Sequence, residues 1–268
     1  MIPIDFHMHS THSMDGHGTV TEMCEAAVAR GVRQIGFTEH LDFDRADPAY
    51  GFFDYEASGR AIEDARARFA GRLVIRRGLE FDFRREYGDE VGRVLGKWQF
   101  DYRIGSVHSA VGILLHRLNR EGPPPGFDLR RVQEAYFDEV EALVASGWCT
   151  VLGHFDYLFK QLPTMVAPRR DEWYWGRVDR ILAACIAGGV VPEVNMHHVL
   201  DLGQGMAMDS AVLARYLALG GLRLSVGGDA HRPADVGHAY DRAEAVLRDA
   251  GVTTLTGFDR GRPYDVPL

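Results

Sequence analysis

"IDFHMHSTHSMDGH", residues 4–17, holds four of the chain's twelve histidines together with Asp5, Ser13 and Asp15. Its first half, entered through Ile2-Pro3-Ile4, reads as a β-strand. Side chains two apart on a strand share a face, so His7 and His9 project together like a pincer. A polar, solvent-facing first strand with incidental histidines is the competing reading, and the rest of the chain has to decide between them.

Seven apolar or β-branched runs, at 3–7, 33–38, 73–79, 102–107, 150–152, 190–194 and 223–227, alternate with amphipathic stretches near 21–30, 56–69, 88–96, 128–146, 172–187, 210–219 and 238–250. That alternation predicts an α/β fold of repeated β-α units around a parallel sheet. Gly31, Gly71, Gly147, Gly188, Gly220 and Gly251 fall at helix C-caps, and Thr21 and Asp209 are candidate N-caps. The longest segments outside the repeat, 41–54, 109–127 and 155–171, each follow a strand and precede a helix, as loops on the active side of the sheet do. Seven such units fit a closed or nearly closed barrel, and a doubly wound open sheet has the same element order.

In either architecture chemistry gathers at the carboxyl ends of the strands. There the sequence places His7, His9, His12 and Asp15 after the first strand, Glu39-His40 after the second, Glu80 after the third and His108 after the fourth. His154 ends the fifth, Glu193 and Asn195 the sixth, and Asp229 and His231 the seventh. One such residue is commonly a cap. Seven successive occurrences at the same phase of the repeat point to a ring of metal ligands. Imidazole and carboxylate without thiolate suit Zn, Mn or Fe(II). A single zinc uses about four ligands, so the surplus implies several ions, and a central carboxylate could bridge two of them about 3.5–4 Å apart.

The chain has 268 residues, 46% of them hydrophobic and 25% charged, enough for one large domain spanning 1–268. A formal charge of −8 argues against nucleic-acid and anionic-membrane partners. No long apolar run or basic leader suggests a membrane span or export, so a cytoplasmic location is expected. Cys24, Cys149 and Cys185 are scattered through apolar stretches as reduced core thiols. An anionic substrate would then need local cations, which bound metal would supply.

These residues resemble the PHP family, the polymerase and histidinol phosphatase superfamily, over essentially the whole chain. "DFHMHSTHSMDG" is similar to its first motif, "FTEH" to its second, "GLE" and "SVHS" to its middle motifs, "GHFD" to a further one and "GGDAH" to its last. The resemblance implies a distorted seven-stranded β/α barrel with three divalent ions at its mouth. Carried over by motif position, one ion falls to His7, His9, Glu80 and Asp229. A second, bridged through Glu80, falls to His108 and His154, and a third to Asp15, His40 and His231. His12 and His17 lie between motif positions, while Asp5, Glu39, Glu193 and Asn195 support the ligands.

"GFTEHLDF", "LGHFDYLFK" and "GGDAHRPADVGHAYDRA" look most like the monofunctional histidinol-phosphate phosphatases of that family. The implied reaction is hydrolysis of a small phosphate ester, L-histidinol phosphate first, by hydroxide held between metals. Asp229 and His231 are the catalytic candidates, Lys160 and Arg232 the candidate phosphate contacts, and Asp42, Phe43 or Tyr157 a wall for a cationic substrate group. One segment departs from the family pattern: "EVNMHHVLDLGQGM" carries His197 and His198 where an Asn-Thr-Ser-Gly-like turn and a phosphate-holding arginine are usual. Sugar phosphates and nucleoside bisphosphates therefore stay open as substrates. Amidohydrolase chemistry and a non-catalytic metal-binding role are the more distant alternatives.

Overall fold

The computed structural model describes residues 1–161, 171–197 and 208–268. His198 and part of the expected 155–171 loop lie outside the described residues. The strands at the expected positions are β1 (Ile4–Met8), β2 (Gln34–Phe37), β4 (Val74–Arg77), β6 (Ile104–Ser106), β9 (Val151–Leu152), β10 (Val191–Asn195) and β11 (Ser225–Gly227). Two further short strands, β3 (His40–Leu41) and β5 (Glu80–Asp82), resume the paths of β2 and β4 after breaks at 38–39 and 78–79. Pairing is parallel within a three-stranded sheet, β1-β2-β4, and a six-stranded sheet, β11-β10-β9-β6-β5-β3.

The fold is thus α/β with a mostly parallel sheet. The expected barrel is not a single closed sheet, because the two breaks divide the strands into two sheets. The sheets meet where Asp229 N–H donates to His7 O (2.7 Å), His9 N–H donates to Ala230 O (2.9 Å), and Met8 bridges Ala230 in parallel.

The helices following these strands are α1 (Val20–Ala29), α2 (Tyr55–Arg68), α3 (Gly88–Leu95), α5 (Leu129–Ser146), α7 (Glu172–Gly188), α8 (Ser210–Ala218) and α9 (Tyr240–Asp249). Asp209 caps α8, accepting from the N–H groups of Ala211 and Val212. For α1 the cap is Thr19 rather than Thr21. Thr19 accepts from Glu22 N–H while the Glu22 carboxylate takes Thr19 N–H, a reciprocal pair that Thr21 could not form with Cys24 three residues on. Gly188 stays helical, and the left-handed residue that ends α7 is Gly189 (φ 69°). The 109–127 segment is more ordered than a loop: β7 (Ser109–Ala110) and β8 (Ile113–Leu114) form a hairpin that leads into α4 (Leu115–Glu121). In the same way, α6 (Tyr157–Gln161) opens the segment after β9.

The buried apolar side chains form one contiguous cluster from Ile2 to Val266. Below the strand ends, Tyr102 packs edge-on to Phe6 (5.3 Å) and stacks on Phe258 (5.3 Å), and its hydroxyl donates to Phe6 O. The ring lies so close to β2 that a Cβ on Gly36 would stand 2.0 Å from the Tyr102 hydroxyl. Phe258 comes from an antiparallel hairpin that the sequence reading did not anticipate, β12 (Thr254–Asp259) with β13 (Arg262–Pro267), turning at Arg260 (φ 49°) and Gly261 (φ 77°). This aromatic floor leaves the opposite ends of the strands for polar groups. Among the described residues no helix is long and apolar enough to cross a membrane.

Candidate metal centre

Every residue of β1 is buried, and His7 and His9 are held by their outward ring nitrogens. His7 Nδ1 lies 2.6 Å from Glu193 Oε1, and a carboxylate only accepts, so Nδ1 carries a proton and Nε2 is the nitrogen turned to the cluster. Glu193 is itself fixed, its Oε2 accepting from His154 N–H (3.1 Å) and Asn195 Nδ2 (3.1 Å). His9 is held through a relay. Glu39 takes the hydroxyls of Ser10 and Ser13 (2.6 Å each), and Ser13 Oγ, having donated, accepts from His9 Nδ1 (3.3 Å) and from His40 N–H (3.0 Å). Asp5 ties β1 to the last strand by accepting from Gly228 N–H (2.9 Å), and burial pushes its carboxyl up to about 6.

Glu80 is the hub. Its Oε1 accepts from Ser106 Oγ (2.6 Å) and faces His154 Nε2 (3.0 Å) and His108 Nε2 (3.5 Å). Its Oε2 faces His40 Nδ1 (3.0 Å), His7 Nε2 (3.3 Å) and His9 Nε2 (3.5 Å). Asp229 Oδ1 stands 3.3 Å from His9 Nε2 and 3.7 Å from His7 Nε2. On the outer side, Asp15 Oδ2 lies 3.3 Å from His231 Nε2 and 3.6 Å from His40 Nε2. Asp229 is in the left-handed region (φ 51°), and its carbonyl receives Nδ1 of both His231 (3.0 Å) and His197 (2.7 Å), fixing both tautomers.

Charge is concentrated here. His9 is buried and stacked between His40 (4.2 Å) and His231 (4.4 Å), which together bring it down to about 3. Burial opposes charge on His7 too, yet Glu193, Asp229 and Glu80 raise it well above its ordinary value. Burial likewise works against His108, but Asp42 and Glu80 lift it to about 10. Despite burial, the surrounding imidazoles hold Glu80 and Asp229 far below the usual carboxylate range. Burial, with Asp42 alongside, pushes Asp82 up to about 7.

The donor set fits divalent metal. His7 Nε2 and His9 Nε2 are buried, aimed at Glu80 Oε2 and without hydrogen-bond partners among the described residues, a costly arrangement that a cation held between them would relieve. Among the described residues, ligand atoms come within 4.8 Å of one another in the sets His7-His9-Asp229, His7-Glu80-His154, His9-His40-His231 and His197-Asp229-His231. Nitrogen-and-oxygen sets of this kind suit first-row transition metals and zinc.

All nine residues expected as ligands converge on this cluster. Lys160 and Arg232 line the adjoining cavity of about 500 Å³, as does His17, whereas His12 does not. His197, His116, Asp47 and Arg120 also line it and were not among the expected site residues. His197 lay in the segment that departs from the family pattern, which was the available signal. For His116 and Arg120, inside a segment read as loop, there was none.

A family model described as PHP domain matches residues 5–197. A probable histidinol-phosphatase from Deinococcus radiodurans is 29% identical to this chain, covering 94% of it and 95% of the relative. A histidinol-phosphatase from Lactococcus lactis is 25% identical, covering 96% and 95%. The chain also resembles the crystal structure of histidinol phosphate phosphatase from Lactococcus lactis complexed with zinc, L-histidinol and phosphate. There the TM-score is 0.80 at 20% identity, with 98% of each chain covered.

Proposed function

The chain belongs to the PHP domain family, and from that premise we propose that it is a metal-dependent phosphomonoesterase converting L-histidinol phosphate to L-histidinol and phosphate. The observation that carries this reading is Glu80, a buried carboxylate facing five imidazoles, with the bare Nε2 atoms of His7 and His9 beside it. Relatives of nearly the same length named histidinol-phosphatase support the substrate. A cavity of about 500 Å³ is of a size for a small ligand.

Three ions are assigned: one to His7, His9, Glu80 and Asp229, one to Glu80, His108 and His154, and one to Asp15, His40 and His231. Bound there, such ions supply Lewis acidity that makes water nucleophilic near neutral pH and offsets the charge of the phosphoryl oxygens. Glu193 and the Ser13–Glu39 relay keep Nε2 of His7 and His9 turned inward. Lys160 and Arg232 are assigned to the outer phosphate oxygens. Asp229 and His231, side by side at the edge of the ligand cluster and lining the cavity, are assigned as the catalytic pair. The backbone bonds between β1 and residues 229–230 support a distorted seven-stranded barrel, and the contiguous core supports one domain over 1–268. The three unpaired buried cysteines suit the reducing cytoplasm.

Phosphate release from L-histidinol phosphate, sugar phosphates and nucleoside bisphosphates, measured before and after chelation and after reloading with Zn, Mn or Fe(II), tests the proposal. The expected result is preference for L-histidinol phosphate, activity lost on chelation and its return on reloading. Full turnover by metal-free protein, or none of this ester by the loaded enzyme, overturns it.

A further inference from the structure

Glu80 divides its partners, with Oε1 facing His154 and His108 and Oε2 facing His40, His7 and His9. The last torsion of a glutamate side chain is broad, so nothing in Glu80 itself preserves that division, and a carboxylate can also give both oxygens to one cation. Among the described residues one hydroxyl donates to it: Ser106 Oγ lies 2.6 Å from Oε1. Ser106 ends β6 two residues beyond Ile104, the partner of Glu80 in the β5–β6 register, so both side chains stand on one face of the sheet. Its carbonyl accepts from Phe83 N–H (2.8 Å), which fixes its backbone on the chain leaving β5. The Ser106 side chain is buried, and a Cβ on Gly153 would stand 2.5 Å from its Oγ, so the glycine before His154 keeps open the space the hydroxyl fills. Turning the Glu80 carboxylate would break a short hydrogen bond to a buried charged acceptor, a costly loss. The bond takes one lone pair of Oε1 and leaves another for a cation, so hydroxyl and ion do not compete.

Resting on the ions assigned above, we propose that Ser106 is a positioning residue for the metal centre. By holding Oε1 toward His108 and His154 it keeps the Glu80 carboxylate shared between two ions, and it sets how tightly His108 and His154 retain theirs. A carboxylate that turned would still present an oxygen to His7, His9 and Asp229, so the ion there depends on Ser106 far less.

Ser106→Ala removes the hydroxyl and little volume. Calorimetric titration of the chelator-stripped full chain with Zn(II) reads the affinity of each binding step. One step is expected to weaken roughly 10–100-fold, the usual loss when the group orienting a ligand is removed. The others should stay within about twofold of wild type, as they do for sites that share no partner. Double variants assign the weakened step. In a His154→Asn background, where that position has already lost a ligand, Ser106→Ala should change Zn(II) binding by no more than about twofold, whereas beside His9→Asn its full effect should persist. A parallel fall of every step in both backgrounds would make the hydroxyl a general support of the fold and overturn the inference, as would unchanged Zn(II) binding by Ser106→Ala. Wild-type protein that takes up a single Zn(II) overturns the ion assignment itself, and this inference with it.

Discussion

The inner and outer halves of the ligand cluster are built to different standards. His7 and His9 are wholly buried, and each has its outward nitrogen tied down, one by Glu193 and the other by the Ser13–Glu39 relay. On the outer half the Asp15 side chain is 57% exposed, and it faces His40 and His231 from the loop between β1 and α1. Oriented, desolvated ligands lose little freedom when a cation arrives, whereas a solvated carboxylate on a loop has to be ordered each time. The inner positions should therefore hold metal tightly and the outer one exchange it.

The harshest way to break this contrast is to remove the group both halves share. Glu80→Gln should abolish retention of metal in the inner half, loosen it in the outer, and lower kcat/KM roughly 10³-fold, about 4 kcal/mol of transition-state stabilisation. Elemental analysis beside steady-state kinetics checks both. If the variant kept its full metal content, Glu80 would be a neighbour of the ions rather than their hub.

Next in size is Glu193→Gln, a change to the carboxylate that holds the inner ligands through His7 Nδ1, His154 N–H and Asn195. Losing the carboxylate that fixes a ligand's tautomer and orientation typically costs 10–100-fold in metal affinity or activity. The expected loss is confined to the inner half, seen as faster removal of the tightest ions by a chelator.

Asp15→Asn sharpens the comparison from the other side. Its activity should drop at limiting metal and return as free metal is raised, with the thermal midpoint of unfolding rising alongside, since ligand bound only by the folded state adds RT ln(1 + [L]/Kd). Wild-type protein titrated with a weak chelator should lose this outer ion first. Simultaneous loss of all ions would erase the distinction between the halves.

Which parts of this were legible beforehand follows from where the information lies. A parallel β-α repeat sends every strand end to one face, so His7, Glu80, His154 and Asp229 could be grouped from spacing alone, and the structure brings them together. The braces could not be read that way. Ser13 meets Glu39 across twenty-six residues, and Glu193 meets His7 across 186, contacts that only the assembled sheet defines. Of the two breaks, the one at 78–79 carries a signal in Gly78 inside a strand run, whereas Thr38-Glu39 at the other carries none. The C-terminal hairpin lacks the apolar run of a buried parallel strand and pairs antiparallel, so the β-α repeat did not capture it. Thr21 and Thr19 are chemically alike as caps, and only the partner three residues on, Glu22 for Thr19, separates them.

That cap provides the gentlest test. Thr19 starts α1 at the end of the loop that carries Asp15, so its reciprocal bonds with Glu22 fix one end of the outer half's least buried segment. Thr19→Ala should cost about 1 kcal/mol, the usual worth of an N-cap hydroxyl. For a chain of this size that is a fall of about 2–4 °C in Tm. The cost should be accompanied by a loss of outer-ion affinity of no more than about fivefold, because loosening a loop's anchor spends only part of the cap's energy on the ligand it carries. Inner-ion affinity should stay level, since Glu193 and Glu39 act on His7 and His9 without passing through α1. Calorimetric unfolding together with chelator competition would read both numbers. An equal fall in inner and outer affinity would mean that the two halves are one mechanical unit.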